Sequence, residues 1–217
     1  MGELYFIRHG QASYGAANYD KLSALGHQQS LWLGQHLAAN TDGFDQIIHG
    51  NLRRHRETLV GLEKNLTGAD TVEDARLNEM SYFVMERAYL AQNGEDIATT
   101  PPEMEAQFKR VMTAWQQDRI DDAPEGFNDF KTRVLAAVDE HITLGKRTLI
   151  VSSGGPSAVL LSRVLGLDIN GLTEIVLRTY NASYSRYLLR GDKLVLSQFN
   201  GIGHLESRER QFAQTLL

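Results

Sequence analysis

Short runs of apolar residues alternate along this chain with longer amphipathic segments, and such alternation predicts a mixed α/β fold. The first run, Leu4 to Ile7, is apolar throughout and predicts a buried strand that ends at Arg8-His9-Gly10. Further strands are predicted at 44–49, 71–75 and 147–151, and helices at about 27–39, 52–62, 127–142 and 156–165.

Residues 80–124 interrupt this order. Breakers at Asn93-Gly94 and Pro101-Pro102 are followed by apolar residues at helical spacing from Met104 to Trp115, so we expect a helical insertion that could cover a site. Near the end, Gly191-Asp192 separates segments 183–189 and 194–199 as the turn of a hairpin would. The pattern predicts one domain over 1–217, a three-layer α/β/α sandwich with a mostly parallel sheet and a helical cap insertion.

Composition narrows the functional classes. The chain has 217 residues, no cysteine and a net charge of −5, so disulfides and thiolate metal sites are excluded and bulk nucleic-acid binding is disfavoured. No apolar run reaches the roughly 18 residues of a membrane span, and Met1-Gly2-Glu3 leads into a strand without a signal-peptide pattern. We therefore expect a cytoplasmic protein without a membrane or nucleic-acid partner, and the oligomeric state stays open.

Three predicted strand ends carry candidate chemistry. They bring Arg8-His9-Gly10, the helix start at Arg53-Arg54, and Ser152-Ser153-Gly154-Gly155. Ligands of open α/β sheets bind at the carboxyl ends of the strands, and a helix N-terminus beside arginine side chains suits phosphate. His9 by itself has two interpretations, a hydrogen-bonded structural histidine or a nucleophile. The arginines around it favour a phosphate site.

In this order and spacing the segments resemble the histidine phosphatase superfamily, which includes the cofactor-dependent phosphoglycerate mutases. Arg8-His9-Gly10 after an apolar strand is similar to the signature of that family. Four further segments are similar to its patterns: 22–29 to Leu-Ser/Thr-x-x-Gly-x-x-Gln, 52–58 to Leu-x-Arg-Ala-x-Gln-Thr, 77–79 to Leu-x-Glu, and 151–155 to Val-Ser-His-Gly-Gly. The resemblance covers nearly the whole chain.

The resemblance implies phosphomonoester hydrolysis in two steps. His9 would attack phosphorus, and water would then hydrolyse the phosphohistidine. Arg8, Arg54 and the amides near Gly154 would hold the phosphoryl oxygens, while Glu79 would serve as acid and then as base. No metal or other cofactor is implied, and the expected partner is a small phosphorylated substrate.

Two positions depart from the family patterns. The second histidine of the family is replaced by Ser153, which can donate a hydrogen bond but cannot carry a positive charge, so slow turnover is expected. His204 could substitute for it or could simply pack the C-terminal segment. The asparagine expected seven residues after the first arginine is Gly15, and Ser13 or Asn18 could take its place in binding substrate.

Alternatives remain open from the sequence. Glu79 could be a surface carboxylate in an ion pair. The protein could be a phosphomonoesterase, a non-catalytic module that binds a phosphorylated ligand, or a mutase that transfers the phosphoryl group. The mutase ranks last because the 80–124 insertion is not basic: it contains four lysine or arginine residues and eight aspartate or glutamate residues.

Overall fold

A six-stranded mixed sheet forms the centre of the computed structural model, which describes residues 2–13 and 20–216. The strand order is β3-β2-β4-β1-β5-β6. Strands β1 to β4 run parallel to one another, β5 runs antiparallel to β1, and β6 runs antiparallel to β5. The strands are β1 (Gly2–Arg8), β2 (Gln46–His49), β3 (Asp70–Glu73), β4 (Arg147–Ser152), β5 (Tyr184–Arg190) and β6 (Lys193–Gly201).

Helices cover both faces of this sheet. Successive residues of a strand point to opposite faces, and in β1 Tyr5 and Ile7 pack with α1 and α2 while Leu4 and Phe6 pack with α5 and α6. The predicted three-layer α/β fold is therefore confirmed. The helices are α1 (Ala24–Asn40), α2 (Arg53–Glu63), α3 (Tyr82–Asn93), α4 (Pro101–Gln116), α5 (Phe127–His141), α6 (Gly154–Leu165) and α7 (Ile169–Arg178).

The 80–124 segment forms α3 and α4, which pack beside α5, α6 and α7 around the buried Trp115. The Trp115 indole donates a hydrogen bond to the Glu125 carbonyl at 2.7 Å, which ties α4 to the start of α5. The segment thus shares a core with the helices on one side of the sheet. Its role as a cap, and the single-domain assignment, stay predictions.

Helices α1 and α7 differ most from the sequence-based prediction. Helix α1 begins at Ala24 rather than near residue 27 because Ser23 caps it, its hydroxyl accepting the Gly26 N–H at 3.0 Å. Helix α7 was not predicted, although Asp168 caps its start in the same way and Leu172 is buried on its inner face. Within the described ranges, every helix is too short or too polar to cross a bilayer.

Candidate active site

The end of β1 delivers His9 to the carboxyl edge of the sheet. The His9 N–H donates to the Ser152 carbonyl of β4 at 2.8 Å, and the His9 carbonyl accepts from the Ala182 N–H at 3.0 Å. The residue is held on both sides by neighbouring backbone, and its side chain is buried. Gly10 follows because a Cβ there would lie 2.4 Å from the Gly26 carbonyl oxygen.

Two hydrogen bonds determine the tautomer of His9. Nδ1 lies 2.7 Å from the Gly10 carbonyl, which can only accept, so Nδ1 carries the proton. The Arg54 Nε–H donates to Nε2 at 3.1 Å, so Nε2 is unprotonated. Burial, followed by the charges of Arg54 and Arg8 and the nearby His55, lowers the pKa of His9 well below its usual range. His9 is therefore a neutral imidazole with a lone pair on Nε2.

Arg54 reaches His9 from the first turn of α2. Its side chain is 8% exposed, and one terminal nitrogen donates to the Asp20 carboxylate at 2.6 Å. The same carboxylate accepts the Arg53 N–H at 2.8 Å, so Asp20 both caps α2 and orients the Arg54 guanidinium. The sequence reasoning did not identify Asp20, since a single carboxylate in a loop gives no signal of its own.

Arg8 lies on the other side of the strand end, beside the start of α6. It donates to the Thr179 carbonyl, and its Nε would be 3.8 Å from a Cβ placed on Gly154. The first amides of a helix attract anions. The structure thus brings Arg8 together with the N-terminus of α6 at the edge that holds His9.

Ser153 occupies the N-cap position of α6 and contacts a side chain that the sequence reasoning did not single out. Its Oγ lies 2.7 Å from Nε2 of His55, and both side chains are completely buried. The His55 ring centroid is 5.8 Å from that of His9. Burial, then Arg54 and His49, lowers the pKa of His55 well below its usual range. The sequence contained one sign of this role: position 55 is histidine here, whereas the family pattern Leu-x-Arg-Ala-x-Gln-Thr has alanine there.

Glu79 lies at the same helix start. One carboxylate oxygen accepts the Gly155 N–H at 3.1 Å, and the other accepts the Met80 N–H at 3.1 Å. A Cβ on Gly155 would lie 2.1 Å from the Glu79 carboxylate, so glycine is what permits this approach. The preceding loop is fastened to β4 by the Ser152 hydroxyl, which donates to the Leu77 carbonyl at 2.6 Å.

The loop after β1 held two further predicted substrate-binding residues. Ser13 lies at the base of this loop, where its N–H donates to the Lys21 carbonyl at 2.7 Å. Gly15 and Asn18 lie outside the described residues, and the predicted role of Asn18 stays untested.

His204 does not join the site as a substitute for the second histidine. It is buried in a short 3₁₀ turn, with its ring centroid 5.9 Å from that of His36 on α1. The Arg210 guanidinium donates to its carbonyl at 3.0 Å, which fastens the C-terminal segment. His204 is therefore the packing histidine of the two alternatives, and the imidazole beside Ser153 is that of His55.

Among residues 2–13 and 20–216, no group of three or more histidine, cysteine or acidic side chains is arranged to hold a metal ion. A groove of about 830 Å³ lies at the opposite end of the sheet, between the ends of α5 and α6 and the β5–β6 turn. It contains none of the predicted site residues.

Three of the buried histidines, His9, His55 and His204, predict a dependence of stability on pH. Burial lowers the folded-state pKa of His9 and His55 well below 6.5 and that of His204 to about 3. Below the unfolded value of 6.5 only the unfolded chain takes up these protons, so the free energy of unfolding falls as pH decreases from about 6.5. Each histidine should contribute a slope of up to about 1.4 kcal/mol per pH unit.

Urea denaturation between pH 7 and 5 measures this slope. His204→Phe removes one titrating group outside the site. The slope of the free energy of unfolding against pH should fall by the contribution of one histidine, up to about 1.4 kcal/mol per pH unit. An unchanged slope in that variant would show that His204 is protonated in the folded protein.

Comparison with known proteins agrees with the order of these elements. Residues 4–201 match the model of the histidine phosphatase superfamily, branch 1. A protein from Citrobacter koseri named "Probable phosphoglycerate mutase GpmB" is 31% identical over 194 residues, which cover 86% of this chain and 84% of that one.

Solved structures show the same fold at lower identity. The alpha-ribazole phosphatase of Shigella flexneri superposes with a TM-score of 0.68 at 21% identity, covering 92% of this chain and 96% of that chain. The phosphoserine phosphatase of Entamoeba histolytica, solved with 3-phosphoglyceric acid, superposes with a TM-score of 0.69 at 17% identity, covering 94% and 100%.

Proposed function

This chain belongs to branch 1 of the histidine phosphatase superfamily, and we propose that it hydrolyses small phosphomonoesters through a phosphohistidine on His9. The observation that carries the proposal is the state of His9, a buried neutral imidazole with its Nε2 lone pair held against Arg54 at 3.1 Å. A neutral imidazole is nucleophilic, and the Gly10 carbonyl holds the tautomer that attacks through Nε2.

In the first step the His9 Nε2 lone pair forms a bond to phosphorus while the bond to the leaving oxygen breaks. The Arg54 Nε–H, which occupies Nε2 before substrate binds, transfers its hydrogen bond to a phosphoryl oxygen. Arg54, Arg8 and the first amides of α6 surround the region where negative charge develops, and preorganised donors of this kind stabilise the transition state.

Glu79 serves as the proton donor in this step. Protonated Glu79 gives its proton to the leaving oxygen, so the alcohol departs neutral. In the second step the Glu79 carboxylate takes a proton from water, the water oxygen bonds to phosphorus, and the nitrogen–phosphorus bond breaks. Inorganic phosphate leaves and His9 returns to its neutral form. The contacts of Glu79 with the Gly155 and Met80 amides support this role because they keep the carboxylate at the α6 start.

Glu79→Gln should reduce turnover in proportion to the basicity of the leaving group. In kcat/KM, which reports the step in which the leaving group departs, alkyl phosphates need protonation and should lose about 10²–10⁴-fold, whereas aryl phosphates leave unaided and should lose much less. Steady-state kinetics on both substrate classes measures the difference. Glu95→Gln is a matched control, since Glu95 pairs with Arg110 on the surface of the α3–α4 segment. Equal losses on both classes would indicate that Glu79 is only structural.

Release of inorganic phosphate from a panel of phosphomonoesters tests the function as a whole. Turnover of at least one substrate class is expected. Binding of phosphate without turnover of any ester would instead favour the non-catalytic ligand-binding module.

Phosphoryl transfer is the second candidate, because the Citrobacter koseri relative at 31% identity is named a phosphoglycerate mutase. A mutase must retain a phosphorylated intermediate under basic side chains. In the α3–α4 segment, Lys109 pairs with Glu105 at 2.6 Å and Arg110 pairs with Glu95 at 2.9 Å, which favours hydrolysis. Adding 3-phosphoglycerate as acceptor separates the two, since a mutase would yield a phosphorylated isomer rather than inorganic phosphate.

A further inference from the structure

We propose that His55 and Ser153 act as one unit, in which His55 orients the Ser153 hydroxyl so that it donates a hydrogen bond to a phosphoryl oxygen during turnover. This inference rests on the proposed phosphatase function and names the group that takes over from the missing second histidine. Ser153 would contact the phosphoryl group and is the catalytic member of the pair. His55 acts through Ser153 and is a positioning residue.

The contact between the two side chains is direct and fully buried. Nε2 of His55 lies 2.7 Å from Oγ of Ser153, and neither side chain is exposed to solvent. The O–H bond of a hydroxyl in water rotates freely, but a buried hydroxyl takes the orientation that its strongest hydrogen-bond partner favours. The imidazole therefore determines where the serine hydroxyl points.

The pair lies inside the site. The His55 ring centroid is 5.8 Å from the ring centroid of the nucleophile His9. Ser153 is the N-cap of α6 and adjoins Gly154, where a Cβ would lie 3.8 Å from Arg8 Nε. Its hydroxyl therefore belongs to the same helix start as the donors proposed for the phosphoryl oxygens. His55 also follows Arg54 directly on α2, so one turn of helix carries both the phosphate-binding guanidinium and the positioning imidazole.

The two departures from the family patterns occur at opposite ends of this one contact. Residue 153 is serine where the pattern has histidine, while residue 55 is histidine where the pattern has alanine. Compared with the pattern, the bulky ring stands on the other side of the contact, and close-packed interiors tolerate such volume-conserving exchanges best. The exchange keeps an imidazole beside the nucleophile.

The direction of the hydrogen bond between His55 and Ser153 determines whether the serine hydroxyl can donate to a ligand. A neutral imidazole with its proton on Nε2 donates to Ser153 Oγ, and the serine hydroxyl is then available to donate to an anion. With the proton on Nδ1 the direction reverses, and the hydroxyl donates to Nε2 instead. A hydrogen bond to the Gly50 backbone is the one cause that raises the pKa of His55, and a carbonyl there favours the second arrangement before substrate binds. The proposal requires the first arrangement once a phosphoryl group is bound, because an anionic oxygen accepts a stronger hydrogen bond than a neutral imidazole does.

Matched variants at position 55 separate orientation from packing. His55→Gln keeps a side-chain donor, whereas His55→Phe fills a similar volume without one. We expect His55→Phe to lower kcat by about 10²–10³-fold, as loss of one transition-state donor does, with little change in inorganic phosphate affinity. His55→Gln should recover part of this loss. His204→Phe, which replaces a buried histidine outside the site, should leave kcat unchanged.

A double-mutant cycle tests whether the pair acts as a unit. Ser153→Ala should lose about as much kcat as His55→Phe. The double variant should lose no more than either, because each single variant already removes the whole contribution of the pair. In the swap Ser153→His with His55→Ala, the imidazole stands at the family position, and this variant should recover kcat to within about tenfold of wild type. Ser153→His alone should lose activity, since His55 fills the space that the new ring needs.

Thermal denaturation verifies that each variant is folded. If a variant does not fold, the kcat of the swap variant decides instead. Three results would overturn the inference: losses that multiply independently, equal kcat for His55→Gln and His55→Phe, or a swap no better than its single variants. The proposed function would still stand in these cases if the wild type turned over a phosphomonoester. A wild type without turnover of any phosphomonoester would overturn both.

Discussion

His9→Ala should abolish phosphate release, with a loss in kcat of about 10⁴-fold or more, the scale on which removal of a covalent nucleophile acts. Attack requires the neutral imidazole with a free Nε2 lone pair that the Gly10 carbonyl and the buried setting produce at His9. Donors that remain around the phosphoryl group would leave only residual catalysis.

The phosphohistidine can be detected directly. Brief mixing with a radiolabelled substrate, followed by an alkaline quench, should label the wild-type protein and not the His9→Ala variant. His27→Ala is the matched control, because His27 is an exposed histidine on α1 and its removal should leave both labelling and turnover intact. Label on the His9→Ala protein would place the covalent intermediate on a different residue.

Arg54→Ala should give the second largest loss, about 10³-fold or more in kcat/KM, which is the lower end of what a transition-state arginine contributes. The guanidinium is buried and directed at His9 Nε2 from 3.1 Å, so it meets the phosphoryl group as the bond forms. Arg54→Lys keeps the charge but not the planar fork, and should recover only part of the activity.

The pH dependence provides an independent readout for Arg54. Its charge is one of the causes that lower the pKa of His9, so its removal raises that pKa and moves the acid limb of kcat/KM upward toward the ordinary value for histidine. Arg53→Ala is the control one residue away, since Arg53 pairs with Glu57 at the surface. Equal effects of the two variants would contradict the proposed role of Arg54.

The layers of the fold followed from the hydrophobic pattern because burial is a local property of each strand and helix. Four consecutive apolar residues in β1 predicted a strand covered on both faces, and the structure confirms it. Helix α7 was missed because Leu172 and Thr173 are its only buried residues among those described. Its stability comes from packing on α4 and α6, which a local pattern does not record.

The chemistry was predictable as residue types at strand ends, since Arg8, His9 and Arg54 stand at fixed offsets from apolar runs. The sequence determined these groups and the serine at residue 153. Only the tertiary structure decided what stands beside Ser153. His204 was the substitute considered from the sequence, but the imidazole that contacts Ser153 belongs to His55, 98 residues away along the chain. The packing of α2 against the end of β4 creates this contact, because side-chain neighbours across a core depend on how whole elements pack and not on their spacing along the chain.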